Sequence, residues 1–316
     1  MEVRMSNSGN TNSRISHACV IVTLNPDTAQ FHRVLDASLA QSPAVIVVDN
    51  GSSPQFVASL HNYAVNSTNL HVLPLGRNFG IAAALNLGIA EAKSRDAEFV
   101  LLLDHDSIAE AGLLDGLLLA MKETQHSGEK IAAIGAKIFD PRSGEELGFY
   151  RMHNGHWDKI KCEVSTHGLL PCDYLNSSGS FIPISAFEDI GPFNEQFFVD
   201  HVDTEWFMRA QSLGYACYGF CGGALEHYMG DAVIRYWLFG WRHMPRRSPQ
   251  RHYYIVRNSL WLYRYAYVPL AWKFNNFIKL LFTLLYFSLF DMQRADQFKR
   301  ILKGLIDGIK GEHRAA

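Results

Sequence analysis

Ala44-Val-Ile-Val-Val-Asp-Asn-Gly-Ser-Ser-Pro54 runs from an apolar stretch through a polar turn to a helix start. Its first five residues are apolar and mostly β-branched, which predicts a strand covered on both faces. Ser53 is a favourable N-cap residue, and Pro54 suits the first position of a helix. The stretch therefore predicts a strand that leads directly into a helix.

The same pattern occurs at three other places in the first third of the chain. Apolar runs at Ala18–Leu24, Leu70–Leu75 and Phe99–Leu103 also end in polar turns, and amphipathic stretches separate them. Buried strands that alternate with helices are joined by right-handed crossovers. We therefore predict an α/β fold with a mostly parallel central sheet. After the fourth strand, Ser107-Ile-Ala-Glu110 has the form of a capping box and predicts a helix from Ile108 to Met121.

Composition divides the chain into three parts. Residues 1–17 are polar and rich in Ser and Asn, which predicts a disordered tail. Residues 18–231 carry the α/β pattern. Residues 232–316 differ in composition, and we expect them to form a helical extension that is basic and aromatic.

The tail and the cysteines indicate the cellular compartment. The tail lacks the apolar stretch that a signal peptide requires. The five cysteines have no paired metal-binding spacing, and their odd number disfavours a disulfide framework. Both features predict a cytoplasmic protein in a reducing environment.

Charge is unevenly distributed in the extension. Between Ala232 and Phe290 there are seven Arg and two Lys but no Asp or Glu, although the whole chain has a net charge of −2. One interpretation is peripheral docking on the anionic inner face of the cytoplasmic membrane, through a helix that lies on its surface. The alternative is that the aromatic residues pack against the α/β domain while the arginines line a groove. No nucleic-acid partner is expected.

Polar residues follow all four predicted strands. Ligands of open α/β sheets bind beyond the carboxyl ends of the strands, which makes these residues candidates for a binding site. The alternative for any single position is an ordinary turn residue. The candidates are Thr23 and Asn25, Asp49 and Gly51, Arg77 and Asn78, and Asp104, His105 and Asp106.

Asp104 and Asp106 form a D-x-D pair directly after the fourth strand. Two carboxylates this close at a dry sheet edge need a cation or hydrogen-bond donors to offset their charge. A divalent ion bridging to a diphosphate would do so.

Four ordered motifs resemble those of family 2 glycosyltransferases of the GT-A fold. They are Val20-Ile-Val-Thr-Leu-Asn25, Val47-Val-Asp-Asn-Gly-Ser-Ser53, Gly76-Arg-Asn-Phe-Gly-Ile81 with Ala84-Leu-Asn-Leu-Gly88, and Leu102-Leu-Asp-His-Asp-Ser107. The resemblance extends over roughly residues 18–230. It implies a glycosyltransferase that uses a nucleotide-sugar donor.

The resemblance implies roles for individual donor-side residues. Asp49 would read the pyrimidine base, Arg77 and Asn78 would line the nucleotide pocket, and Asp104 would hold the ribose side. Asp106 would ligate Mg²⁺ or Mn²⁺ at the diphosphate. His105 departs from the commoner small or acidic residue, and this favours the rhamnosyltransferase-like branch.

The resemblance also implies a general base for inverting transfer. Asp203, in Val199-Asp-His-Val-Asp-Thr-Glu-Trp206, matches the family's base, and Glu205 is the alternative base on the acceptor side. An Asp in the first turn of a helix is also favoured by the helix dipole alone, which leaves a structural role open.

His227 and the Ser177–Ser180 loop complete the implied site. His227 would be a further metal ligand, and Ser178 and Gly179 would face the acceptor, although a structural histidine and an ordinary turn remain alternatives at these positions.

The motifs look most like those of bacterial rhamnosyltransferases that use dTDP-L-rhamnose. This resemblance implies transfer of L-rhamnose to a glycan or lipid-linked acceptor of a cell-surface polysaccharide. A nicotinamide dehydrogenase is disfavoured, because Asn25-Pro-Asp-Thr28 stands where a glycine-rich loop is required. A non-catalytic nucleotide-sugar or carbohydrate-binding module of the same fold remains an alternative.

Overall fold

The computed structural model describes residues 16–142, 144–153, 156–162, 168–227, 232–237 and 241–311. Most of the predicted tail lies outside these ranges. His17, its last residue, already belongs to the first strand.

The first half of the chain alternates strands and helices as the sequence predicts. The elements are β1 (His17–Thr23), α1 (Thr28–Leu39), β2 (Val45–Asp49), α2 (Pro54–Val65), β3 (Leu70–Pro74), α3 (Ile81–Ser94), β4 (Phe99–Asp104), β5 (Ser107–Ala109), α4 (Leu113–Gln125) and β6 (Ile131–Asp140).

The second half contains more short strands. The elements are β7 (Glu145–Glu146), β8 (Phe149–His153), β9 (His156–Ile160), β10 (Leu169–Cys172), β11 (Ser180–Pro183), α5 (Ile184–Ile190), a 3₁₀ turn (Glu195–Phe197), α6 (Val202–Ser212) and β12 (Ala216–His227). The extension contains β13 (Ala232–Trp237), β14 (Trp241–Arg246), α7 (Pro249–Leu262), α8 (Leu270–Phe290) and α9 (Arg294–Lys310).

The central sheet has the strand order β10-β12-β6-β11-β4-β1-β2-β3. Strands β1 to β4 are parallel to their neighbours in this group, and β12 is parallel to β6, whereas β11 runs antiparallel between β4 and β6. Both faces are covered, because Val20 and Ile46 pack in one core cluster while Ile21 and Val47 pack in the other. The prediction of an α/β fold with a mostly parallel sheet is confirmed.

The predicted capping box at Ser107 is wrong. Ser107–Ala109 forms β5, which pairs antiparallel with β12, and the following helix begins only at Leu113. The Ser107 hydroxyl hydrogen-bonds with Ser178 and His227 rather than capping a helix. Glu110 accepts a hydrogen bond from the backbone of Ala224 on β12. Long-range strand pairing therefore outweighs the local helix signal.

The extension is helical from Pro249 onward, but its first part is not. Residues 232–246 contain β13 and β14, paired antiparallel. This corrects the prediction of helix from residue 232, and the β-branched and aromatic residues Val233, Ile234 and Tyr236 explain the strand, because such residues favour it. Among the described residues, no helix combines the length and apolarity needed to cross a bilayer.

The expectation that the cysteines stay unpaired is also corrected. Cys162 and Cys221 form a disulfide, whereas Cys19, Cys172 and Cys217 are buried free thiols. The pair joins the segment after β9 to β12, two regions separated by 59 residues in sequence. Sequence spacing alone gave no signal for this contact.

Candidate active site

The turn after β2 is organised around the carboxylate of Asp49. Thr23 Oγ1 donates a hydrogen bond to Asp49 Oδ1 (3.0 Å), and the backbone N–H groups of Gly51 (3.2 Å) and Ser52 (3.0 Å) donate to Oδ2. Asp49 and Thr23 are fully buried. The structure thus brings these predicted donor residues together at the ends of β1 and β2.

Asparagine side chains join the loops after β1, β2 and β3. Asn25 accepts a hydrogen bond from the backbone of Ser53 (3.0 Å), and its own N–H donates to Ser52. Asn50 donates to Asn78 Oδ1 (3.1 Å) and accepts from the backbone of Phe79 (2.9 Å). The three loops therefore form one connected surface at the carboxyl edge of the sheet.

Two glycines allow close approach between neighbouring segments at this edge of the sheet. Gly51 has φ +94°, and a Cβ atom there would lie 2.5 Å from the carbonyl carbon of Arg77. Gly80 has φ +90°, and a Cβ atom would lie 2.6 Å from the carbonyl oxygen of Phe198. Arg77 itself is exposed, with its guanidinium 4.3 Å from the centre of the Phe79 ring. Its charge is available to a ligand at this edge.

Asp104, Asp106 and His227 form a compact cluster at the end of β4. One potential ligand atom from each lies within 4.8 Å of the others, and Asp106 Oδ1 is 3.3 Å from His227 Nδ1. The pairing of β5 with β12 explains the arrangement, because it places His227 opposite Ser107. His105, the third predicted residue of this turn, does not belong to the cluster.

The three groups of this cluster affect one another electrostatically. Burial raises the pKa of Asp104, while the charge of His227 opposes this shift. Burial also acts to raise the pKa of Asp106, but the hydrogen bond and charge of His227 outweigh it and lower that pKa. For His227 burial acts to lower the pKa, and the two aspartates raise it overall. Positive charge among these carboxylates is therefore favourable, which suits a cation site.

The Ser177–Ser180 loop leads into β11 and contacts the residues around the cluster. Ser178 Oγ accepts a hydrogen bond from the backbone N–H of Asp104 (3.1 Å) and lies 2.7 Å from Ser107 Oγ. Gly179 has φ +91° and donates its N–H to Leu102 on β4. Ser178 is buried, and its hydroxyl contacts both the backbone of Asp104 and the hydroxyl of Ser107. The two predicted acceptor-side residues therefore both contact the end of β4, Ser178 through the backbone of Asp104 and Gly179 through that of Leu102.

Asp203 lies in the first turn of α6, beside this loop. Its carboxylate accepts hydrogen bonds from the backbone N–H of Thr204 (2.7 Å) and from that of Ser177. Burial raises the pKa of Asp203, and these hydrogen bonds offset only part of the effect. Since Ser177 contacts Asp203 and Ser178 contacts Asp104, the base candidate and the cation site share one loop.

The backbone leading into α6 has an unusual conformation. Phe198, Asp200 and His201 all have positive φ, between 61° and 62°, which is unfavourable for residues other than glycine. The side-chain nitrogen of Asn258 on α7 lies 2.8–2.9 Å from the carbonyl oxygens of Phe197, Val199 and Asp200. Helix α7 of the extension therefore holds the segment that presents Asp203. We call Glu195–Asp203 the base segment.

The arginines of the extension also serve this region. Arg251 makes two hydrogen bonds to the carboxylate of Asp200, and Arg247 lies 3.4 Å from it. Arg246 pairs with Asp291 (3.3 Å). The structure thus favours the alternative in which the extension packs on the α/β domain, because these arginines form ion pairs within the protein.

The structure does not bring Glu205 to the site. Glu205 is 2% exposed, and both carboxylate oxygens accept hydrogen bonds from Arg209. Tyr267 donates a further bond to it (2.7 Å). A carboxylate occupied in this way holds α6 to the extension, so its prediction as the alternative base or an acceptor contact is corrected.

Sequence reasoning missed Asn50, Ser107 and Asn258. Asn50 follows the predicted aspartate directly and could have been found as a member of the same turn. Ser107 was assigned to a helix cap, and its true role depends on β12, more than 100 residues away. Asn258 lies on a helix with no local motif, and no sequence signal marks it.

Comparisons with known proteins agree with this geometry. The family model described as Glycosyl transferase family 2 matches residues 19–170. The chain is 28% identical over 298 residues to the dTDP-rhamnosyl transferase RfbF of Shigella flexneri, covering 92% of this chain and 95% of that protein. It is 24% identical over 266 residues to the N-acetylglucosaminyl-diphospho-decaprenol L-rhamnosyltransferase of Mycobacterium tuberculosis, covering 75% and 80% of the two chains.

Solved structures of other proteins have the same fold as this chain. TarS 1–349 of S. aureus in complex with UDP-GlcNAc has a TM-score of 0.58 at 17% identity, covering 93% of this chain and 82% of that chain. The mannosyltransferase PcManGT of Pyrobaculum calidifontis, in complex with GDP-Man and Mn²⁺, has a TM-score of 0.55 at 15% identity, covering 95% and 76%. These solved structures share the GT-A fold with this chain, and the match to Glycosyl transferase family 2 over residues 19–170, together with the similarity to the two rhamnosyltransferases, supports a glycosyltransferase.

Proposed function

We propose that this glycosyltransferase moves L-rhamnose from dTDP-L-rhamnose, with inversion at the sugar carbon, onto a glycan or lipid-linked acceptor of a cell-surface polysaccharide. The observation that carries the proposal is the cluster of Asp104, Asp106 and His227, joined through Ser177 and Ser178 to Asp203. The names of the Shigella and Mycobacterium relatives support the sugar, and the second name supports a lipid-linked acceptor.

The donor set of the cluster fits Mg²⁺ or Mn²⁺. Carboxylate oxygens suit both ions, and an imidazole nitrogen is accepted more readily by Mn²⁺. Asp106 and His227 are the proposed ligands, with Asp104 beside them on the ribose side. A divalent ion held by these residues would stabilise the negative charge of the departing diphosphate. The role of the chain is to orient the ligands, which the Ser107 hydroxyl does for His227.

Asp203 is the proposed general base. An inverting transfer needs a carboxylate that removes the proton of the acceptor hydroxyl on the face opposite the leaving group. Burial raises the pKa of Asp203, which makes its carboxylate a stronger proton acceptor than an exposed aspartate. Tyr174 and Tyr150, stacked with ring centres 5.6 Å apart, lie near this carboxylate and offer an aromatic surface to a sugar acceptor.

The loops after β1, β2 and β3 are the proposed nucleotide site. Asp49 and Gly51 shape the turn that would receive the pyrimidine base, with Thr23 and Asn25 bracing it. Arg77 and Asn78 lie at its rim, exposed to a ligand. His105 remains a proposed donor contact beside the cation cluster. We place the reaction on the cytoplasmic side, where nucleotide sugars are available.

A donor panel tests the proposal. The purified protein is incubated with Mn²⁺ or Mg²⁺, a polyprenyl-diphosphate sugar acceptor, and dTDP-L-rhamnose, UDP-GlcNAc or GDP-mannose in turn. We expect mass spectrometry to detect a deoxyhexose product only with dTDP-L-rhamnose. Equal or faster transfer from UDP-GlcNAc would overturn the proposed donor and keep the glycosyltransferase assignment. Donor hydrolysis without any acceptor transfer would redirect the search to other acceptors.

The Asp203→Asn variant tests the mechanism separately. This isosteric change keeps one oxygen that can accept the hydrogen bond from Thr204 but removes the proton acceptor. We expect donor affinity, measured by calorimetry, to stay near that of the wild type while transfer falls by about two to four powers of ten. Wild-type turnover in this variant would end the assignment of Asp203 as the base.

A further inference from the structure

Exposed apolar side chains are concentrated on two helices of the extension. Among the described residues, thirteen of the nineteen exposed large hydrophobic side chains lie between Leu270 and Ile309, on α8, α9 and the turn that joins them. The other six are scattered over the α/β domain. Single exposed apolar residues are ordinary, whereas a contiguous group marks a contact surface.

Helix α8 presents a continuous apolar stripe to solvent. Its exposed apolar residues follow the three- and four-residue spacing of one helix face, and they are Leu270, Phe274, Phe277, Ile278, Leu281, Leu285 and Leu289. The opposite face is buried through Trp272, Leu280 and Phe287. The helix therefore has two apolar faces, of which the fold covers only one.

Helix α9 presents a second stripe, formed by Phe298, Leu302, Ile306 and Ile309. Its other face packs closely on α7, because Cβ atoms at Gly304 and Gly308 would lie 2.6 Å from the carbonyl oxygen of Tyr253 and from Leu260 Cδ1. Helix α9 therefore cannot rotate to bury this stripe without losing its close packing on α7.

The two stripes adjoin at the contact between the helices. Leu284 on α8 and Leu305 on α9 are half-buried and pack against the same core cluster, which contains Leu280, Phe287 and Ile301. On each helix that half-buried leucine lies between the buried face and the exposed stripe, as the 100° advance per residue shows. The stripes therefore form one surface, which we call the α8–α9 face.

Lysines border the α8–α9 face on the α9 side. Three apolar residues of the stripe are each followed directly by a lysine, in Phe298-Lys299, Leu302-Lys303 and Ile309-Lys310. Because each residue advances about 100° around the helix, these lysines lie along the edge of the stripe. Asp307 accepts a hydrogen bond from Tyr253 on α7. Helix α9 carries five basic residues against two acidic ones, so it keeps a net positive charge.

We propose that the α8–α9 face docks on a bilayer surface that carries anionic lipid headgroups. An apolar stripe bordered by lysines, on helices that do not span the bilayer, is the arrangement of a helix lying in the interface. A second copy of this chain is disfavoured as the occupant, because pairing two such faces brings the lysines of both copies together. Anionic headgroups neutralise the same lysines while the acyl region receives the apolar side chains.

This surface shares α8 with the segment that the sequence suggested, but the charge that borders it comes from α9 and not from the arginines of that segment. Arg246, Arg247 and Arg251 are engaged in ion pairs, whereas the lysines of α9 lie at the protein surface. Docking through α8 and α9 would hold the enzyme where a lipid-linked acceptor is presented, and only this consequence rests on the proposed function. The docking itself can be measured without donor or acceptor.

Vesicle co-sedimentation of the full chain tests the proposal. Phosphatidylglycerol-containing vesicles are compared with pure phosphatidylcholine at low and high salt. The triple variant F274E, L281E, F298E introduces charge into the face at three exposed positions. The control, L87E with L119E, replaces leucine by glutamate at two exposed positions on α3 and α4. We expect binding to anionic vesicles to fall at least tenfold in the triple variant and to stay at the wild-type level in the control.

A second set of variants isolates the charge. Changing Lys299, Lys303 and Lys310 to Gln should lower partitioning by about fivefold for each lysine and reduce its dependence on salt. Donor hydrolysis measured without vesicles should be unchanged in all these variants, which separates failure of docking from failure of the proposed function. Absence of wild-type binding to anionic vesicles at low salt would overturn the proposal. A stable dimer in sedimentation velocity that the triple variant dissociates would also overturn it, in favour of self-association.

Discussion

The loops after β1, β2 and β3, which we call the donor loops, and the base segment contribute to the same site but are held in place by different kinds of contact. Asp49 takes its hydrogen bonds from Thr23, Gly51 and Ser52, so its partners are at most 26 residues away and lie in adjoining strand-end loops. The base segment depends on Asn258 and Arg251, which are more than 50 residues away on α7. One half of the site is therefore specified by local motifs, and the other by how the extension packs.

The largest effect is expected at the cation cluster, on the donor side. Asp106→Asn removes a charged oxygen ligand and should lower transfer by about three powers of ten or more, since the diphosphate charge is then poorly neutralised. Asp115→Asn, an exposed acid on α4, is the matched control and should transfer at the wild-type rate. Product formation and Mn²⁺ binding by calorimetry measure both.

Removal of the divalent ion with a chelator tests the role of the cation cluster without a mutation. Chelator treatment should abolish transfer, and Mn²⁺ or Mg²⁺ should restore it. Transfer at full rate by the chelator-treated enzyme would mean that Asp104 and Asp106 act only through hydrogen bonds.

The next largest effect is expected where the loop after β2 packs against the loop after β3. Gly51→Ala would place a Cβ atom 2.5 Å from the backbone of Arg77 at φ +94°, which should cost about 2–4 kcal/mol of stability and weaken donor binding. Gly76→Ala is the control, because φ is +74° there but nothing lies within 4 Å of the added atom. Thermal unfolding and calorimetry with dTDP separate the steric clash from backbone strain. Equal effects in both variants would show that loop contact adds nothing beyond strain.

For the base segment, Asn258→Ala should reduce stability less than Gly51→Ala does. It should lower the rate of transfer without weakening donor binding. The change removes a donor from the carbonyl oxygens of Val199 and Asp200, at a cost of about 1–3 kcal/mol. The carbonyl of Phe197 keeps hydrogen bonds from Arg257 and from the backbone of Val199. We expect transfer to fall by about tenfold while dTDP affinity is kept, because Asp203 is displaced and the donor loops are not. Asn276→Ala, which removes a single bond to Tyr263, is the control. Loss of donor affinity in Asn258→Ala would show that the two halves are not independent.

The same contrast explains what the sequence could predict. The four strands, the Asp49 turn and the Asp104–Asp106 pair follow from apolar runs that end in polar residues, a pattern visible within a few residues. The role of Ser107 could not be predicted, because β5 forms only by pairing with β12. Glu205 looked available in sequence, yet Arg209 and Tyr267 occupy it in the fold. The support from α7 depends on tertiary packing that no local motif records.

The smallest expected effect at neutral pH is a pH-dependent contribution to stability that originates in the base segment. Burial lowers the pKa of His201 to about 4, against the opposing charge of Asp200, and Nε2 of the ring lies 3.1 Å from Ser259 Oγ. An unfolded histidine titrates near 6.5, so between these values the unfolded chain binds more protons than the folded one. Stability contributed by neutral His201 is therefore complete above about pH 6.5 and is lost as the pH falls toward 4, with a slope of at most about 1.4 kcal/mol per pH unit. His201→Asn keeps a residue that tolerates positive φ but does not titrate, and it should flatten this part of the curve. Denaturant unfolding of both proteins at several pH values gives the difference, which cancels the titration of other groups. Parallel curves for the two proteins would mean that His201 is not held neutral by the packing of the extension, and that the base segment is less dependent on α7 than its hydrogen bonds indicate.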